Sequence, residues 1–441
     1  MNKPFPVTPE KSYAESSVTH RLIPGGAHTY SKGDDQFPSN APRYLERGDG
    51  VWVWDDKDRK YLDWTMGLRS MSLGYGIKAV NDAAIAQIAK GSNFGRPSFI
   101  ETELAQDLVR LIPCADMVKY VKNGSSATSA AVKLARAFTG RDHVALCQDH
   151  PFFSYDDWFI VTTPPDNGIP QAERALSHTF KYGDLEGLAK IFEAHPGQIA
   201  CVIMEAATTA HPPAGYLKSV IELAHKHGAL FILDETITGF RWHLNGAQKY
   251  YGIEPDLATF GKGIANGFSL SVLAGKREVM ELGGLDHKKK RVFLASTTHG
   301  AENHSLAAAR AVLRIFEEQP VIANMWSIGK ALVAGLNDAA RKAGVSDFFV
   351  AAGVDCSPYF ICKDKAGTVS MPYRTLFLQE MVKQGVLINY IAPSFSHKDE
   401  HVERTVAAAN AALQVYARAL TDGIQNYLEG PAMKPVFRPY N

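Results

Sequence analysis

The stretch from Ala229 to Gly267, ALFILDETITGFRWHLNGAQKYYGIEPDLATFGKGIANG, decides the fold. It opens with a short apolar run, Ala229 to Leu233, stopped by charge. That is the pattern of a strand buried on both faces of a parallel sheet. Asp234 then stands at the strand's carboxyl end. In open α/β sheets ligands bind in the crevice beyond the carboxyl ends of strands, so an acid there is placed to meet one. A second apolar run, Leu257-Ala258-Thr259-Phe260, leads to Lys262, which sits between Gly261 and Gly263. Glycines on both sides let the backbone turn sharply and come close to a ligand.

A lysine among apolar neighbours loses solvation of its ammonium, so its pKa falls and its amine becomes a nucleophile toward a carbonyl. This is Schiff-base chemistry. A cofactor that stores carbanion charge on a protonated pyridine ring needs such a lysine and an acid near the ring nitrogen, and the stretch offers both. By residue type alone, the same two side chains also read as a strand-ending cap and a surface lysine in a glycine turn.

Upstream, KNGSSATSAAVKLARAFTG begins at Lys122. Gly124 and Ser125 open a predicted helix whose apolar face includes Val132, Ala135 and Phe138, with Gly140 as its stop. Unpaired N–H groups and the helix dipole attract an anion, and the Ser125 and Ser126 hydroxyls suit a phosphate. Plain N-capping accounts for the serines equally well. CQDHPFFSYDDWF carries an aromatic cluster at Phe152, and in IMEAATTAHPPAGYL Glu205 stands at the end of a predicted strand.

Read as a unit, LDETITGFR, GAQKYYGIEPDLATFGKGIANG and AGKREVME resemble the central segment of the class III pyridoxal-phosphate aminotransferases, in particular the glutamate-1-semialdehyde aminomutase branch. The likeness runs from about Pro24 to the C-terminal helix near Leu413. It implies an α/β enzyme of the pyridoxal-phosphate-dependent fold type I, aspartate aminotransferase-like, with a mostly parallel central sheet and a smaller α/β domain. It further implies that Lys262 forms the internal aldimine with pyridoxal 5'-phosphate and that Asp234 pairs with the pyridinium nitrogen. Gly124, Ser125 and Ser126 would hold the phosphate, Phe152 would stack on the ring, and Glu205 would meet the cofactor hydroxyl or the substrate. In STTHGAENHSLAAARAVL, Thr297 matches the residue that reaches the phosphate of a neighbouring subunit's cofactor, which implies a homodimer with shared active sites. The chain departs from the family at Ser126, often an acid there, at Phe153 and Ser154, where histidine and glycine are usual, and at Ala206, usually proline.

These anchors do not choose the reaction. Running the amine exchange backward on a second carbonyl gives transamination, whereas moving the amine within one molecule gives a 2,1-aminomutase. Lys32 stands where the mutase carries an arginine that grips the substrate carboxylate, and a lysine cannot reproduce that planar two-pronged contact. Arg69 is a second candidate anion contact, or else a structural arginine. The expectation is an aminotransferase moving an amino group from a donor such as glutamate to a small oxo acid or a keto or aldehyde sugar. The aminomutase is the alternative, and a racemase or decarboxylase would share every anchor. A magnesium phosphotransferase on Asp234 and Glu235 leaves Lys262 and Thr297 without a joint explanation. The glycines at 261, 263 and 267 do not match a dinucleotide fingerprint.

With 441 residues, 46% of them hydrophobic, the chain is long enough for a sizeable core. The expected domains are residues 1–65 joining a small domain, 66–325 as the large cofactor-binding domain, and 326–441 as the rest of the small one. A net charge of +1 gives no general pull toward nucleic acid or membrane. The N-terminus lacks a signal-peptide core and no apolar run approaches the roughly 20 residues of a membrane span, so a cytoplasmic location is expected. The five cysteines show no CxxC spacing and read as buried thiols. His299, His304 and Glu302 lack metal-ligand spacing, and no metal is expected. The proline-rich tail after Leu428 is expected to be loosely ordered.

Overall fold

The computed structural model of the protein describes residues 14–207 and 209–440, which fall into two compact units. The larger consists of Gly67–Leu73, Ile77–Trp326 and the described residues from Phe437 onward. The smaller holds the described residues up to Met66, Gly74–Gly76 and Ser327–Val436.

The larger unit is built on a seven-stranded sheet: β1 (Met117–Val121), β2 (His143–Cys147), β3 (Ser177–Phe180), β4 (Ile199–Met204), β5 (Leu230–Glu235), β6 (Leu257–Phe260) and β7 (Ser271–Gly275). Their spatial order is β1-β7-β6-β5-β4-β2-β3. Only β7 is antiparallel to its neighbours. This is the α/β fold with a mostly parallel sheet that the sequence led us to expect. Every residue of β4, β5, β6 and β7 is buried, as strands covered on both faces require. Side chains such as Leu146, Ile203 and Ile232 meet in one cluster. Burying each contributes about 1.5–3 kcal/mol. The strand expected to stop at Asp234 runs on through Glu235, because both carboxylates find hydrogen-bond donors at full burial.

Helix α1 (Gly124–Thr139) packs against the sheet through small residues, Ala127, Ala130, Ala131 and Ala135, that let it approach closely. Val132 and Ala135 are buried as expected, but Phe138 is 37% exposed. It lies in the helix's final turn, beyond the buried stripe. Gly140 ends the helix in the left-handed conformation with φ of 68°.

In the smaller unit, strands Trp52–Asp55 and Lys60–Asp63 form the expected hairpin, with Trp52 opposite Leu62. The Asp55 carboxylate fixes its turn by accepting the N–H groups of Lys57 and Arg59 at 3.0 and 2.8 Å. Leu45–Asp49 adds on one side, and Val386–Leu387 pairs in parallel on the other. The tail is not loose over Glu429 to Lys434. Met433 is buried and donates its N–H to Thr375 Oγ1 at 2.9 Å, while the Lys434 N–H reaches Asp35 O at 3.0 Å. Proline content misleads there because an apolar methionine and two backbone bonds secure the chain. All five cysteines are free and buried, and burial pushes Cys114, Cys147, Cys201 and Cys362 up to about 12. No described helix is long and apolar enough to cross a membrane.

Candidate active site

Three adjacent parallel strands bring the charged residues together. Register pairs Met204 with Leu233 and Asp234 with Thr259, so Glu205, just past β4, comes level with Asp234 on β5. Neighbouring strands lie about 4.8 Å apart. Lys262 arrives from the end of β6 and opens a 3-10 turn, Lys262–Ala265, with a left-handed φ of 43°. A non-glycine residue held there stores strain that the surrounding packing must enforce. Its glycine neighbours are required by close approach: a Cβ on Gly261 would lie 2.7 Å from Ser271 Oγ, and one on Gly263 2.4 Å from Ser72 Oγ.

Asp234 is held by the Thr236 N–H and the Thr259 hydroxyl, both donating to Oδ1 at 2.9 Å. Burial raises its pKa, opposed by these hydrogen bonds and by the Lys262 charge. Burial also lowers the pKa of Lys262, and the carboxylates of Glu205 and Asp234 oppose that shift while Arg69 and Arg241 add to it. Glu205 is 2% exposed, and burial, with the charge of Asp234, raises its pKa to about 8. Its Oε2 is buried without a hydrogen-bond partner, an acceptor left open inside the site. Arg69 lies within electrostatic reach of both Glu205 and Lys262.

Glu235 is different. It accepts from Thr238 Oγ1 at 2.9 Å, the Ala247 N–H at 2.7 Å, and the Gln248 N–H and Nε2 at 3.0 and 3.2 Å. A carboxylate occupied in pinning the 236–248 loop is not a metal ligand paired with Asp234, so the phosphotransferase reading loses its second acid.

At the N-terminus of α1 the cap is Asn123, whose Oδ1 accepts the Ser126 N–H at 2.9 Å. The serines are therefore not the cap. Ser125 Oγ accepts the Tyr155 N–H at 3.2 Å. Helix geometry leaves the first N–H groups without intrahelical partners. Gly124 faces Thr236, since a Cβ there would come within 3.2 Å of its methyl, which links this helix end to the loop following Asp234.

Among the other expected residues, no hydrogen bond joins Phe152 or Thr297 to Glu205, Asp234 or Lys262. Phe152 is 44% exposed, with its ring against Phe159 and Phe437. Thr297 is exposed, in the loop before Asn303. Lys32 lies in the smaller unit, in the turn Tyr30–Lys32, where burial lowers its pKa.

Sequence reading missed several supporting residues. Arg241 is 2% exposed and reaches Ser72 Oγ at 3.4 Å and Arg69 O at 3.5 Å, bracing the segment in which Leu68 and Arg69 take φ of 59° and 71°. Its signal was an arginine inside an aromatic run, Phe240-Arg241-Trp242. His150 is buried and accepts the Glu205 N–H on Nδ1 at 3.0 Å, and burial drives it down to about 3, so the ring is neutral. Thr259 looked like one more residue in an apolar run.

Residues 35–413 of this chain match the family of class-III aminotransferases. A 3-aminobutyryl-CoA aminotransferase from Cloacimonas acidaminovorans (strain Evry) is 30% identical over 405 residues, 89% of this chain and 94% of that protein. The solved FumI protein of Sphingopyxis sp. MTA144, in its PLP internal aldimine form, superposes with a TM-score of 0.84 at 27% identity, covering 92% of this chain and 97% of that one. A glutamate-1-semialdehyde aminomutase from Pseudomonas aeruginosa PAO1 shares the fold with a TM-score of 0.77 at 19% identity, over 91% and 94% of the two chains. The charged cluster at the strand ends, the family match and the near full-length relative agree: this chain belongs to the class III aminotransferase family.

Proposed function

We propose that this enzyme moves an amino group from a donor, glutamate first among candidates, to a small carbonyl acceptor such as an oxo acid or a keto or aldehyde sugar. Pyridoxal 5'-phosphate is the cofactor, and the residues present fit it. The observation that carries the reading is a buried lysine amine within electrostatic reach of two buried carboxyls, one of which has an oxygen open to a donor. When bound, the cofactor supplies an aldehyde carbon that bonds to amines and an electron-poor ring that stabilises charge on the substrate carbon.

The chain's own residues do the rest. Gly124 and Ser125 would present N–H donors for the phosphate, while Ser126, whose N–H and hydroxyl both go to Asn123 Oδ1 at 2.9 and 3.1 Å, would have to release its hydroxyl to join them. Asp234, held by Thr236 and Thr259, would serve the ring nitrogen, and Phe152 would pack against the ring. Lys262 Nζ would hold the cofactor, its burial favouring the neutral, nucleophilic amine, and would then take up and return a proton at the substrate carbon. Glu205 would offer Oε2 to a hydroxyl, and Arg69, within electrostatic reach of Glu205 and Lys262, would bind the anionic end of the substrate. Thr297 of a second copy completes the phosphate site in a homodimer.

Amino transfer is favoured over the 2,1-aminomutase, racemase and decarboxylase alternatives because the 30%-identical relative is named an aminotransferase, whereas the mutase likeness, at 19%, concerns fold alone. The test is to add glutamate alone to the loaded enzyme, follow its absorption band and quantify 2-oxoglutarate. Loss of the band with matching 2-oxoglutarate supports glutamate as donor. A band that ignores glutamate removes it, and absence of any band overturns the assigned site.

A further inference from the structure

Far from the charged cluster, three histidines meet at the edge of the sheet. His143 opens β2, His178 is the second residue of the neighbouring edge strand β3, and His195 follows the helix Leu185–Ala194. One nitrogen from each ring lies within 4.8 Å of the other two. His143 Nδ1 and His178 Nε2 are 2.8 Å apart and share a proton. The His178 and His195 rings stack with centroids 4.0 Å apart. All three are half-buried, so the group is shielded yet reachable from solvent.

We infer that His143, His178 and His195 form a binding site for a divalent transition-metal ion of the zinc class. Three imidazoles are a common ligand set for such ions, and a water completes the tetrahedron. At a metal–nitrogen distance of about 2.0 Å, ligand nitrogens around a tetrahedral ion sit about 3.3 Å apart. The 2.8 Å pair therefore opens by a few tenths of an ångström when the ion takes the place of the shared proton, which moves through solvent to the outer nitrogen of its own ring. Both rings remain neutral ligands.

The backbone already sets the spacing. The His143 N–H donates to Gln198 O at 3.1 Å, and the Gln198 N–H donates to His195 O at 3.1 Å. One residue thus ties two of the three ligands in place. The cluster lies at the amino ends of the parallel strands, whereas Asp234 and Glu205 lie at the carboxyl ends. The ion accordingly staples the edge strand to the helix and takes no part in turnover.

The test uses untagged holoenzyme, dialysed against micromolar free Zn2+ and washed, with zinc counted per chain and the melting temperature read with and without zinc. The wild-type protein is expected to retain one zinc per chain and to melt higher in its presence. Losing even an outer-shell partner costs about 10–100-fold in metal affinity, so His178→Gln and, separately, His195→Gln should each weaken binding at least about 100-fold. Each variant's cofactor absorption, recorded in chelator, reports that it has folded. Wild-type protein that retains no zinc, or folded variants that retain as much as wild type, would overturn the inference.

Discussion

The Thr259 hydroxyl on β6 donates to Asp234 Oδ1 on β5 at 2.9 Å, across a register that sets the two residues opposite one another. A side chain that resembles apolar filler in sequence thus holds the acid assigned to the ring nitrogen. Thr259→Val keeps the shape and removes the donor. A hydrogen bond to a charged group is worth about 1.5–3 kcal/mol, so cofactor retention on dialysis should fall about tenfold or more. Retention equal to wild type would show that Asp234 needs no support from Thr259.

Lys262→Ala should leave the fold intact and remove turnover. The residue is assigned both the bond to the cofactor and the proton transfer, the latter alone contributing about 10²–10⁴-fold. Absorption of the loaded protein should lose the band of lysine-bound cofactor, and kcat should fall by at least about 1000-fold. Full activity in this variant would sink the assignment.

Glu205 gives a pH signature in the cofactor-free protein. Its folded pKa, about 8, lies above the usual carboxyl value because burial and the Asp234 charge disfavour the anion. The folded state therefore binds the proton more tightly than the unfolded chain does. That contribution is fully present below about pH 4.3, is lost as pH rises toward 8, and changes by about 1.4 kcal/mol per pH unit between. Relative to Glu205→Gln, the wild type should lose stability from pH 5 to 8, read from urea midpoints. Parallel profiles for the two proteins would exclude a raised Glu205.

Thr297 is exposed in the single chain, so Thr297→Ala should change folding stability by less than about 0.5 kcal/mol. If its hydroxyl serves the cofactor of a second copy, cofactor retention should nevertheless drop severalfold. Unchanged retention would count against a shared dimer site.

The sequence by itself determined the apolar body of the strand Leu230–Glu235, the glycine-flanked Lys262 and the helix opened by Gly124, because each rests on neighbours along the chain: an unbroken apolar run, a sharp turn, a helix start. It also led to Asp234 and Glu205 as strand-end acids. Only the tertiary structure decided what those residues meet. Lateral register put Thr259 beneath Asp234 and levelled Glu205 with it. Packing, invisible to local pattern, buried Arg241 against the strained segment at Leu68 and Arg69 and occupied Glu235 with loop donors. His143, His178 and His195 lie 35 and 17 residues apart in sequence and gather only because β2 and β3 are neighbours in the sheet. Periodicity records which face of an element is buried. Contacts between elements depend on strand order, which no local run of residues encodes.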